Sequence, residues 1–105
     1  MKERKEIMVI NSKQRAYLRG LANTIDAIFQ VGKSGTSENQ IKQLKEALEA
    51  RELIKISILE TAPANAKEYG EELAKLTDSI LVQTIGNKVT LFKQREKNSK
   101  IELPK

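Results

Sequence analysis

Four residues at the end of an apolar run, Gly32-Lys33-Ser34-Gly35, bring together two glycines, a cation and a hydroxyl, and a helical pattern follows them. Such a turn has the chemistry to hold an anion. Two glycines let the backbone turn sharply and let a ligand's own backbone approach. The helix that follows offers unpaired N–H groups and the positive end of its dipole. Lys33 adds a charge and Ser34 a donor. The stretch Ala27-x-x-x-x-Gly32-Lys33-Ser34 differs from the Walker A phosphate-binding pattern only by alanine in place of the first glycine. A Walker A turn needs a roomy loop that surrounds a β-phosphate with N–H groups. Here Ile28–Val31 reads as strand, so nothing is left to form that loop. A smaller device fits better: a G-x-x-G joining a strand to a helix, across which two phosphates of an extended nucleic-acid strand can lie, as in the KH module. Strand-to-helix turns also carry two glycines for steric reasons alone; the lysine at the tip and the basic flanks favour binding. The binding reading needs free backbone amides where the first strand hands over to the second helix.

The rest of the composition narrows the chemistry. The 105 residues include no cysteine and no histidine, which removes disulfides, thiolate chemistry, the usual zinc ligand sets and any Ser-His-Asp triad. Carboxylates, lysines and hydroxyls remain, so no enzyme, cofactor, metal site or small-molecule substrate is expected. The net charge of +5 is unevenly placed: +4 over residues 1–35, −2 over 36–92 and +3 over 93–105. Basic ends around a balanced middle point to a polyanion partner, met by ends that lie near each other in the fold. No apolar run approaches the ~20 residues of a membrane span. The opening MKERKEIMVI is too short for a secretory h-region and no cleavage site follows it, so a cytoplasmic protein without a membrane partner is expected.

Periodicity supplies the elements that position the turn. Asn11 or Ser12 caps a helix over about 12–24, with Tyr17, Leu18, Leu21, Ala22 and Ile25 as its apolar stripe. A short strand over 27–31 leads into the turn. Ser37 and Gln40 have capping-box spacing, and Ile41, Leu44 and Leu48 then give a helical stripe. LIKISIL, 53–59, alternates as a strand, with Ile54, Ile56 and Ile58 on one face and Leu53, Lys55, Ser57 and Leu59 on the other. Pro63 suits the first turn of a third helix over 63–77, buried through Ala66, Tyr69, Leu73 and Leu76 and weakened by Gly70. Strands at 80–85 and 88–93 flank Gly86-Asn87, a two-residue hairpin signal. The fold class is therefore α/β in the order α-β-α-β-α-β-β: a mixed four-stranded sheet packed with three helices, its final hairpin adding an antiparallel edge. One domain over 1–93 is expected, followed by a loosely held basic polar tail over 94–105 that includes Lys97, Lys100 and Lys105.

Taken in order, these signatures resemble the CRM domain (chloroplast RNA splicing and ribosome maturation), most closely its single-domain, YhbY-like bacterial branch. The residues that carry the resemblance span about 12–93. They are Leu18-Arg19-Gly20-Leu21-Ala22, Val31-Gly32-Lys33-Ser34-Gly35, Glu52-Leu53-Ile54-Lys55-Ile56 and Gln83-Thr84-Ile85-Gly86, with Lys100-Ile101-Glu102-Leu103-Pro104 similar at the end. The resemblance implies an RNA-binding domain whose G-x-x-G loop and adjacent basic surface contact RNA. In the bacterial branch it implies association with rRNA in precursors of the large ribosomal subunit. The family often has Gly-Leu-Thr where this chain has Gly35-Thr36-Ser37, and Tyr-Arg where it has Phe92-Lys93.

The expected RNA-contacting set is Gly32, Lys33, Ser34 and Gly35, with Arg15, Arg19, Lys42, Lys88, Lys93 and Arg95 as basic flanks. Arg15 and Arg19, at i, i+4, serve equally well as solvated helix charges, and Lys42 and Lys45 as helix-surface partners of Glu38, Glu46 and Glu49. With four aromatics in the chain and no RNP-like pair among them, recognition should favour backbone and shape over stacked bases. A monomer is expected. The rival reading is a protein-interaction module whose charged ends only solubilise it.

Overall fold

The computed structural model describes residues 10–95 and 98–104. Its elements are α1 (Ser12–Ala22), β1 (Phe29–Val31), α2 (Glu38–Arg51), β2 (Leu53–Ile58), α3 (Ala66–Thr77), β3 (Ile80–Ile85) and β4 (Lys88–Phe92). The mixed four-stranded sheet and three helices are those the sequence predicts. Lys97 and Lys105 lie outside the described residues, as does 1–9, on which the meeting of the two basic ends partly rests.

Each helix starts at a reciprocal cap. Asn11, Ser37 and Asn65 accept from the N–H of Gln14, Gln40 and Glu68, whose side chains accept in turn from the cap N–H. Two otherwise orphaned donors are satisfied at each terminus. The Asn65–Glu68 box sets the start of α3 at Ala66, so Pro63 stays in the preceding loop and is not in the first turn. The first helix also stops two residues early, at Ala22.

Strand order is β1-β2-β4-β3, with β1 parallel to β2 and β4 antiparallel to both its neighbours. The hairpin through Gly86-Asn87 forms, but β4 does not become the edge: it inserts between β2 and β3. Burial follows that order. Val89, Thr90, Leu91 and Phe92 are all buried, whereas edge strand β3 leaves Gln83 and Thr84 half-buried and Ile85 exposed.

Helices α2 and α3 cover one face, where Ile54, Ile56, Ile58, Val89 and Leu91 meet Leu44, Leu48, Tyr69 and Leu73. Gly70 is a point of close approach there. A Cβ would sit 3.0 Å from Leu81 Cδ1 and 3.3 Å from Val89 Cγ1, so its absence lets α3 lie down on the sheet. Helix α1 covers part of the opposite face, packing Leu18 and Ala22 with Leu53, Val82 and Phe92. Two residues expected in apolar stripes are largely exposed, Tyr17 at 42% and Leu76 at 44%. Thr77 takes the buried place beside Leu73, donating its hydroxyl to the Leu73 carbonyl at 2.7 Å.

The segment after β4 is not the loose tail its polarity suggests. Ile101 and Leu103 pack into the α1 cluster, and Gln14 Nε2 donates to the Pro104 carbonyl at 2.9 Å.

Candidate nucleic-acid interface

The turn after β1 is tight. Gly35 N–H donates to the Gly32 carbonyl at 2.9 Å, and the two residues form an isolated antiparallel bridge. Lys33 and Ser34 are left at the exposed tip. The two glycines are not equivalent. Gly35 has φ +71°, and a Cβ there would lie 2.9 Å from Tyr69 Oη. Gly32 lacks a positive φ, and its Cβ would meet Leu59 Cδ1 at an ordinary 3.6 Å. Only Gly35 is dictated by the backbone.

The amides at this corner divide into used and free. Gly35 N–H is spent inside the turn. Ser37 N–H donates to Gln40 Oε1 at 3.0 Å, and Gln40 N–H to Ser37 Oγ at 3.2 Å. Among the described residues, the N–H groups of Lys33, Ser34 and Thr36 have no hydrogen-bond partner. Those of Glu38 and Asn39, in the first turn of α2, have none either. Five unengaged donors and the helix N-terminus therefore fall within residues 33–39, the stretch that carries the exposed lysine and serine.

Sheet order decides which basic residues join them. Asn87 O accepts from Ile58 N–H at 2.7 Å, and Lys88 pairs with Ser57. Val31, which pairs with Ile58, leads directly into the turn, so Lys88 lies at the same end of the sheet as Lys33. Exposed Lys42 stands about 7 Å along α2 from its cap. Lys93 and Arg95 lie at the opposite end of the sheet, where Lys93 N–H donates to the Glu52 carbonyl at 2.8 Å. The expected single basic surface is thus divided between two ends, about 20 Å apart by the rise of β2.

Arg15 and Arg19 are also separated. Arg19 is exposed on α1. Arg15 is half-buried, and its Nη1 donates to the Leu81 carbonyl at 2.9 Å and the Val82 carbonyl at 2.6 Å. The β3–β4 register shifts between Leu81 and Gln83, leaving Val82 without a partner residue in the ladder. A guanidinium there satisfies carbonyls that the bulge displaces.

The open part of the second sheet face carries half-buried Lys55 and Gln83 and exposed Lys88. No aromatic of the strands stands among them: Phe92 is buried under α1 and Phe29 packs into the core on the other face, while Tyr69 lies beneath Gly35 and exposed Tyr17 is carried by α1.

One residue of consequence had no role assigned from sequence. Glu52 is fully buried and has φ +69°. Its Oε2 accepts from Arg95 N–H and Ser99 Oγ, each at 2.7 Å; its Oε1 accepts from Lys100 N–H at 2.6 Å and Ile101 N–H at 3.0 Å. Burial pushes this carboxyl up, and the four hydrogen bonds together outweigh it, holding it below its ordinary value. The signal available in sequence was an acid between a helix and an apolar strand, a place where a charge needs a partner.

The CRS1 / YhbY (CRM) domain model matches residues 10–93. The chain is 48% identical over 96 residues to the probable RNA-binding protein YqeI of Bacillus subtilis, covering 91% of this chain and all of that protein. It is 28% identical to an RNA-binding protein of Haemophilus influenzae, covering 91% of this chain and 96% of the relative. The solution structure of protein SAV1595 from Staphylococcus aureus superposes with a TM-score of 0.76 at 46% identity, covering 91% of this chain and 100% of that one.

Proposed function

Because this chain belongs to the CRS1 / YhbY (CRM) domain family, we propose that it is an RNA-binding protein whose first contact is the Gly32–Gly35 turn. The observation that carries the reading is the pairing of exposed Lys33 and Ser34 with five unengaged amides at one corner. An RNA phosphate there meets a cation, a hydroxyl and a helix N-terminus together. Lys42 and Lys88, at the same end, add charge. The partner is rRNA in precursors of the large ribosomal subunit, bound non-covalently by a monomer in the cytoplasm, with no chemistry performed on it. The lack of a strand aromatic on the open sheet face supports recognition of backbone and shape over stacked bases.

The test is binding of RNA as a function of salt. Lys33→Ala should weaken binding across sequences and lower the log–log salt slope by about 0.7–0.9, one phosphate contact. Unchanged affinity and slope would remove the turn from the interface. A pulldown from lysate with and without ribonuclease separates this reading from a protein-interaction module, which predicts a ribonuclease-resistant partner. Recovery of large-subunit precursors in the ribonuclease-free sample is the result that supports the rRNA partner.

A further inference from the structure

At the end of the sheet far from the turn, a groove opens between the later half of α2, the end of α3 and the segment after β4. Lys45, Lys93 and Arg95 line it, with Glu49 and Asp78 as its acids. Among the described residues, the side chains of Lys45, Lys93 and Arg95 make no hydrogen bond or ion pair. The surface explanation for Lys45, a pairing with Glu46 or Glu49, is therefore not realised.

The wall that carries Arg95 is held in place. Buried Glu52 accepts from the Arg95 N–H itself and from three groups further along the same segment. A cation on a fixed backbone loses less freedom on meeting its ligand than one on a mobile tail. Lys42 and Lys45, at i, i+3, lie on one exposed side of α2 and step from the turn towards the groove. Lys45 stands about 12 Å along α2 from Ser37, roughly halfway to the far end. The mixture of cations with the Glu49 carboxylate and the amides of Gln94 and Asn98 suits a sugar–phosphate backbone, whose 2′-hydroxyls donate, better than a bare anion.

We infer that this groove is a second contact for the phosphodiester backbone of the same RNA that meets the Gly32–Gly35 turn, with Lys45, Lys93 and Arg95 as its cations. The inference rests on the RNA-binding reading above. One RNA spanning both ends gains avidity that neither contact alone supplies.

The experiment measures anisotropy of labelled mixed-sequence RNA, single-stranded and duplex, across a salt series. The proteins are wild type, Lys33→Ala, the triple variant Lys45→Ala/Lys93→Ala/Arg95→Ala, and Lys45→Ala alone. The triple variant should lower the single-strand slope by about 2, and Lys45→Ala alone by about 0.7, at unchanged melting temperature for the latter. Lys45 is an exposed helix position where alanine is well tolerated, so the single variant keeps the test informative if the triple variant folds poorly. If Lys33→Ala loses affinity while both groove variants bind as wild type, the groove is wrong and the turn stands. If the groove variants lose slope and Lys33→Ala does not, the groove stands and the turn falls. Salt-independent or absent binding by wild type overturns both.

Discussion

Replacing Glu52 tests how the fold holds the segment that walls the groove. In Glu52→Gln the amide oxygen can keep the two N–H donors of Lys100 and Ile101, and Ser99 Oγ can turn to accept. The new NH2 group, however, faces the Arg95 N–H, donor against donor. One bond of the four is lost outright and the others lose the carboxylate's charge. Hydrogen bonds to charged groups contribute about 1.5–3 kcal/mol each, so a loss of about 2 kcal/mol is expected. For a domain of this size that lowers Tm by about 10 °C. Glu52→Ala strips all four bonds. Its cost is capped, because the released segment hydrates its own donors; it should match deletion of residues 94–105, which removes the packing of Ile101 and Leu103 as well. The decisive measurement is a double-mutant cycle by thermal melting. In the truncated chain Glu52→Ala should be neutral or stabilising, since the carboxylate there has lost the four donors it was buried with. The pH dependence carries a sign of its own. The folded carboxyl lies below its ordinary 4.5, so its contribution is complete above the unfolded value and is lost as pH falls through the folded one. The stability gap between wild type and Glu52→Gln should therefore hold at neutral pH and close only below about 4.5. Additive losses in the cycle, or a Gln variant that melts with wild type, would refute the argument.

Other perturbations follow from the same geometry. Gly35→Ala forces a side chain into a left-handed backbone conformation against Tyr69 Oη, and should lose about 1–2 kcal/mol in a denaturant melt; Gly32→Ala should stay within about 0.5 kcal/mol of wild type. Adding Tyr69→Phe to Gly35→Ala should recover part of the loss, and an unchanged Gly35→Ala would discount the close contact. Arg15→Ala frees the Leu81 and Val82 carbonyls and should lose about 1.5–3 kcal/mol, with RNA affinity at a folded temperature unchanged; a large loss of affinity without loss of stability would return Arg15 to the interface.

What the sequence made legible is local. Ser37 and Gln40 announce the start of α2 because a capping box is a contact across three residues. The alternation of Ile54, Ile56 and Ile58 assigns a face because pleating repeats every two residues. Asn65 and Glu68 carried the same signal as Ser37 and Gln40, and Pro63 masked it by offering an earlier start. The errors are long-range. Gly86-Asn87 specifies that β3 and β4 pair but not which of them then meets β2, and that choice sets Lys88 beside Ser57 of β2. The contacts of Arg15 with Leu81 and of Glu52 with Ile101 cross 66 and 49 residues, and no periodicity spans such separations.

The same two residues supply a criterion that composition lacked. By charge alone Arg15 and Arg95 are alike, and so are Glu52 and Glu49. The fold separates them by where their hydrogen bonds go. Arg15 is half-buried and turned onto the Leu81 and Val82 carbonyls beside a bulge, and Glu52 is sealed among four donors. A group so engaged would have to break those bonds before meeting RNA, at a cost comparable to the contact it would gain. Lys33, Lys45, Lys93 and Arg95 carry no such obligation among the described residues. Their side chains can exchange water and counterions for phosphate without disturbing the fold. Counterion release rewards that kind of charge, because the solution ions already associated with the nucleic acid are what the protein displaces. It follows that stability and affinity should separate along this line. Substitutions at Arg15 move melting with little change in salt slope, and substitutions at the free cations do the reverse.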